Sequence, residues 1–151
     1  SAGGQIAGAV GFVNPTVCVK GLAAYYAPTD LTFGYEVSRP DNWLDPHLLI
    51  EQLLGGSPFE KQEIYKTASL TENVSATSPP TLLLHGEPDS LTWYKHSERL
   101  LSRMKHVAVP VYFLNLRWAH HGFDYFPQGP GGQISTNAVL AFFDSQKSRC
   151  Q

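Results

Sequence analysis

The chain has 151 residues, 42% of them hydrophobic and 16% charged, with a formal net charge of −2, which fits a single globular domain of ordinary composition. That charge offers no electrostatic footprint for nucleic acid or an anionic membrane surface, and no apolar run reaches the roughly 18 residues of a membrane span. The only cysteines are Cys18 and Cys150. Their spacing fits neither a disulfide framework nor a metal or redox motif, so two thiols are the expected state.

Gln5 to Phe12 is small and apolar, with Gly8 and Gly11 interspersed. Each glycine costs a helix about 1 kcal/mol relative to alanine, so a helix here needs close packing on a sheet. Val19 to Tyr26 is an apolar run closed by Ala27-Pro28-Thr29-Asp30, a breaker that favours a buried strand. Residues 27–80, 54 in number, then intervene before the next strand, far more than an ordinary crossover. Pro40, Pro46, Gly55-Gly56 and Pro58 punctuate this insert, and His47–Leu54 and Pro58–Ala68 predict short helices within it. We read it as a lid or pocket wall.

Ser78-Pro79-Pro80 forces extended backbone ahead of Thr81-Leu82-Leu83-Leu84-His85. This continuous apolar run suits a parallel strand covered on both faces. Leu91 to Lys105 predicts an amphipathic helix, with Leu100, Leu101 and Met104 on one side and Lys95, Glu98 and Arg99 on another. Val107 to Leu116 predicts a third strand, with Pro110 near its start. Gly132 to Gln146 predicts a last helix whose buried face is Val139, Leu140, Phe142 and Phe143. The alternation implies an α/β fold of about three parallel strands with flanking helices, one partial domain over residues 1–151.

Three strand-end positions carry chemistry. Ser1 opens Ser-Ala-Gly-Gly, whose small residues suit a tight strand-to-helix turn bearing a nucleophile. Asp89 follows the second strand, where a carboxylate can orient an imidazole; alone it reads as a turn or cap residue. Asp30, past the first strand, is its rival and a candidate pocket residue. His121 follows the third strand and precedes Gly122, which allows close backbone approach; His120 is the local rival. Serine, acid and histidine stand in one consistent order, the arrangement that activates a hydroxyl for acyl transfer. Tyr26, Trp118 and Phe123, with Tyr25 and Tyr125, lie near the strand ends and can line an apolar pocket.

The Ser-Ala-Gly-Gly start, Pro79-Pro80-Thr81-Leu82-Leu83-Leu84-His85-Gly86 with Asp89, and His121-Gly122-Phe123-Asp124 together resemble the carboxylesterase branch of the α/β-hydrolase superfamily. That branch includes hormone-sensitive-lipase-like and feruloyl-esterase-like enzymes, and the resemblance runs from Ser1 to about Phe143. It implies Ser1 as nucleophile, Asp89 as triad acid, His121 as base and the Ala2 N–H as an oxyanion donor. It implies a small-molecule ester as substrate and no metal or organic cofactor. It gives His85 no catalytic role. It also makes the chain the C-terminal part of such a fold. The strand entering the nucleophile turn and the glycine-rich oxyanion loop would then lie upstream. We therefore expect this stretch alone to be inactive and to fold poorly.

Two rivals follow from the same residues. A serine peptidase of the prolyl-oligopeptidase type shares the fold and triad order, but more often has a bulky aromatic where Ala2 stands. A non-catalytic binding module on the same scaffold typically loses a triad member, and none of the three candidates is missing here.

Overall fold

A parallel three-stranded sheet in the order β1-β2-β3 is the centre of the computed structural model, which describes residues 1–13, 18–38 and 44–147. The strands are β1 (Leu22–Tyr25), β2 (Thr81–Gly86) and β3 (Val111–Leu116). Leu22 pairs with Thr81 and Tyr25 with Leu84, while Thr81 pairs with Val111 and Gly86 with Leu116. Every residue of β2 is buried, as its unbroken apolar run requires of a central parallel strand.

Side chains alternate across the sheet, and the core divides accordingly. Leu83 and Ala24 join one cluster with Leu70, Leu100, Met104 and Val109. Leu82 and Leu84 join the other with Phe142. The first face is covered by α1 (Ala2–Val13), α5 (Leu70–Asn73) and α6 (Lys95–His106), the second by α7 (Pro130–Ser145). Three layers result, the architecture expected of alternating strands and helices. Helix α1 does pack closely: a Cβ on Gly4 would meet that of Ala27 at 3.0 Å.

Some boundaries differ from the sequence reading for identifiable reasons. Val107 caps α6 and Ala108 takes a left-handed φ of 57°, so the third strand starts only after Pro110. Leu91 and Thr92 bond Asp89 through their amides, which delays α6 to Lys95. In α7 Phe142 is buried, whereas Leu140 and Phe143 are exposed, against the expected inner face. The first strand is shorter than expected, Leu22–Tyr25.

The insert contains α2 (Leu31–Val37), α3 (Pro46–Leu54) and α4 (Gln62–Ala68) before α5. Helix α3 is closed at both ends by local chemistry: Asp45 accepts from the Leu48 amide, Pro46 fills the first turn, and Gly55 takes the left-handed cap. The insert divides physically. Tyr65, Leu70 and Val74 are buried, and the latter two belong to the sheet core, so its last third is scaffold. Cys18 is disulfide-bonded, which corrects the expected thiol; Cys150 and Pro40 lie outside the described residues. No helix among the described residues is long and apolar enough to cross a membrane.

Candidate active site at the carboxyl end of the sheet

The carboxyl ends of β1 and β2 point the loops at 26–30 and 87–92 to one edge of the molecule, where functional loops of open α/β sheets gather. The loop after β3 folds back over them. Gly86 permits this: a Cβ there would stand 1.8 Å from the Ala119 carbonyl oxygen. No side chain fits, so the 117–121 turn sits directly on the end of β2. That approach brings His121 to Asp89.

His121 Nδ1 lies 2.8 Å from Asp89 Oδ2. The carboxylate is fully buried, while the imidazole keeps 22% of its surface exposed. Asp89 has two jobs, one for each oxygen. Its Oδ1 accepts from the Leu91 and Thr92 amides, both at 2.9 Å. That is the turn role, and it leaves Oδ2 aimed at His121. Burial pushes this carboxyl up, but hydrogen bonds from His121, His85 and the Thr92 amide outweigh it and hold Asp89 well below the ordinary carboxylate range. An ionised Asp89 can only accept, so His121 carries its proton on Nδ1 and leaves Nε2 basic.

His85 supports the acid from beneath. It shares the face of Leu83, turned toward α6. Its Nδ1 lies 2.8 Å from Ser97 Oγ and its Nε2 2.8 Å from the Thr92 carbonyl. A carbonyl only accepts, so Nε2 donates and Nδ1 receives the Ser97 hydroxyl proton. Asp89 Oδ2 lies 3.5 Å from the same Nε2. This is the structural role expected of His85.

The rivals are occupied elsewhere. His120 Nδ1 bonds the Pro88 carbonyl at 2.9 Å, fastening the two loops together. Asp30 caps α2 by accepting from the Phe33 amide at 3.0 Å and receives Arg99 Nε at 2.8 Å. It borders a cavity of about 630 Å³ whose wall includes Phe33, Tyr35, His47, Phe59 and Arg99. Neither Ser1, Asp89 nor His121 lines that cavity. Gly122 has a left-handed φ of 75° and open space around its Cβ position. Its glycine is explained by conformation, not by the close approach expected from sequence.

Ser1 is exposed at the start of α1. Its backbone nitrogen bonds the Tyr25 carbonyl at 2.9 Å, which fastens the helix start to the end of β1. The Ser1 carbonyl accepts from the Gly4 and Gln5 amides. The Ala2 and Gly3 amides have no carbonyl within the helix to bond. The hydrogen bonds among the described residues include none from Ser1 Oγ to His121. Tyr26 turns its ring to His121, with centroids 4.2 Å apart, and donates its hydroxyl to Asp124 Oδ1 at 2.6 Å. Phe123 packs against Tyr25 and Tyr26 at 6.0 and 5.4 Å. Trp118 is 54% exposed. The sequence reading gave Asp124 no role, and nothing in its spacing marks one. Its link to Tyr26 spans 98 residues and exists only once the first and third strand-end loops meet.

The chain is 28% identical over 118 residues to a protein named "Probable carboxylic ester hydrolase LipM" of Mycobacterium tuberculosis, covering 76% of this chain and 26% of that one. It is 28% identical over 100 residues to "Uncharacterized peptidase YtmA" of Bacillus subtilis, covering 66% of this chain and 35% of that one. It therefore spans only a quarter to about a third of these curated relatives. Its backbone superposes on a truncated carbohydrate esterase from gut microbiota with a TM-score of 0.79 at 19% identity, covering 99% of this chain and 58% of the other. That likeness carries the fold, the three parallel strands and flanking helices of an α/β-hydrolase. The family model described as BD-FAE matches residues 1–104, a span that includes Ser1 and Asp89 and stops before His121. On that match over more than half its length, the chain belongs to the BD-FAE family within the α/β-hydrolases.

Proposed function

We propose that the protein is a serine hydrolase that cleaves carboxylic esters through an acyl-enzyme. The observation that carries this reading is the buried Asp89 carboxylate 2.8 Å from His121 Nδ1. It leaves Nε2 free as a base at the sheet edge where α1 begins. In this reading Ser1 Oγ attacks the ester carbonyl as His121 Nε2 takes its proton. Asp89 stabilises the imidazolium, and the Ala2 N–H donates to the oxyanion. His121 then returns the proton to the leaving alcohol, and the C–O bond breaks. Water repeats the sequence, releases the acid and restores Ser1. Tyr26, backed by Phe123, borders His121 on the apolar side, Trp118 is taken to extend that side, and the α2–α4 part of the insert walls the cavity beside Asp30. No step draws on a cofactor.

Fluorophosphonate labelling of the natural full-length protein tests the nucleophile. Labelling should vanish in Ser1→Ala, and labelling that persists there removes Ser1 from the mechanism. A second reading, hydrolysis of peptides, is favoured by the similarity to a protein named as a peptidase. Turnover of p-nitrophenyl esters against peptide anilides separates the two. Neither turnover nor labelling is the result expected of a binding module.

A further inference from the structure

Tyr26 is in a conformation that its residue type avoids. Its φ is +36°, in the left-handed region that a bulky L-residue occupies only when its surroundings hold it there. Three attachments do so. Its amide donates to the Leu84 carbonyl at 2.8 Å, its hydroxyl donates to Asp124 at 2.6 Å, and its ring is edge-on to Phe123. The ring so placed is 4.2 Å from that of His121, centroid to centroid.

We propose that Tyr26 and Asp124 act together as positioning residues that favour the cationic form of His121, an aromatic and anionic support additional to Asp89. The inference rests on the reading of His121 as general base. A cation within about 6 Å of a tyrosine ring is attracted by the negative ring face. Donation of the hydroxyl proton to a carboxylate makes that face more negative. The same bond ties the Asp124 carboxylate to the ring that contacts the imidazole. Burial and Asp124 push the Tyr26 hydroxyl well above its ordinary range, so it remains the donor of this bond.

The charged groups around His121 come from every neighbouring element. Asp89 approaches from the loop after β2, with His85 behind it. Asp124 lies in the loop of His121 itself. The Ser1 backbone nitrogen at the start of α1 is turned to the Tyr25 carbonyl. His120 is turned to Pro88. Among the described residues, Tyr26 is the aromatic ring in contact with that of His121. Both states of His121 contact the ring, but only the imidazolium gains charge attraction from it. The support is therefore largest when His121 holds the serine proton, which is the condition for a rate effect and not merely tighter packing.

The test is the pH profile of ester hydrolysis by the natural full-length protein. In Tyr26→Leu the acidic limb should move down by about 0.5 to 1 in pH, and plateau kcat should fall about three- to tenfold with KM unchanged. Tyr26→Phe keeps the ring and should shift the limb less than Tyr26→Leu. Tyr26→Asn suits the left-handed backbone and should behave as Tyr26→Leu even if leucine weakens the fold. A thermal melt identifies any variant that has unfolded. An unmoved limb in both Tyr26→Leu and Tyr26→Asn, with Ser1→Ala still abolishing fluorophosphonate labelling, overturns this proposal and leaves the hydrolase reading intact. Labelling that survives Ser1→Ala overturns both.

Discussion

Two buried carboxylates follow two adjacent strands, and they have opposite fates. Asp30 stands after β1 and Asp89 after β2, and each uses Oδ1 to hold the backbone that follows it. The difference is the partner of Oδ2. For Asp30 it is Arg99, a permanent cation that also packs over Phe33 at 4.6 Å. For Asp89 it is His121, an imidazole that can accept and return a proton at its other ring nitrogen. A carboxylate locked to a guanidinium is scaffold, whereas one aimed at a partly exposed imidazole can serve proton transfer. Position at a strand end therefore nominates an acid, and its partner decides the role.

The sharpest way to break that contrast is Asp89→Asn in the natural full-length protein. It should lower kcat by about 10³- to 10⁴-fold, since an amide can present a donor to His121 and favour the wrong tautomer. Asp30→Asn should leave kcat within a few fold of the parent, as a role in α2 capping implies. Equal losses in the two variants would dissolve the distinction.

The next effect sharpens it through pH. His96 is buried against the Asp30 side of the comparison, and burial holds it down to about 4, with Asp30 opposing. Its folded value lies below the unfolded one of about 6.5. The unfolded chain thus takes up the proton first, and stability falls as pH drops from about 6.5 to 4, by up to about 3 kcal/mol. Asp89 is also depressed, so its contribution is present above about 3.9 and is lost only as pH falls further. Chemical denaturation across this range should show two windows, and His96→Gln should flatten the upper one.

Gly86→Ala tests the approach of the histidine loop. The added methyl would meet the Ala119 carbonyl at 1.8 Å, so the backbone must shift, at a cost of about 1–3 kcal/mol. Activity should fall further than stability, because the shift separates His121 from Asp89. A variant with parental kinetics would show that the loop tolerates displacement. The smallest effect belongs to Arg99→Ala. Its side chain is about half exposed, so screened loss of the Asp30 pair should cost about 1 kcal/mol in thermal or urea unfolding, with ester turnover unchanged.

Much of the scaffold is legible in the residues. The apolar run of β2, the proline breaker before it and the amphipathic pattern of α6 each predict their element. The boundaries that moved did so where side chains competed with the backbone. Asp89 draws the Leu91 and Thr92 amides into a turn and shortens the next helix. Helices α2 and α5 are not legible in the sequence, being short and partly glycine- or threonine-bearing. The apolar residues of α7 predict a wider inner face than the helix has, since a helix on an outer layer buries only one narrow stripe.

The sequence by itself determined the α/β class, the order of serine, acid and histidine, and the placement of the latter two past strand ends. These are local properties, written in periodicity and in neighbours along the chain. Tertiary structure decided which carboxylate meets which cation, why Gly86 must lack a side chain, and that Tyr26 and Asp124 join across 98 positions beside His121. Such pairings depend on how three loops from adjacent strands stack at one sheet edge, and spacing along the chain does not record that distance.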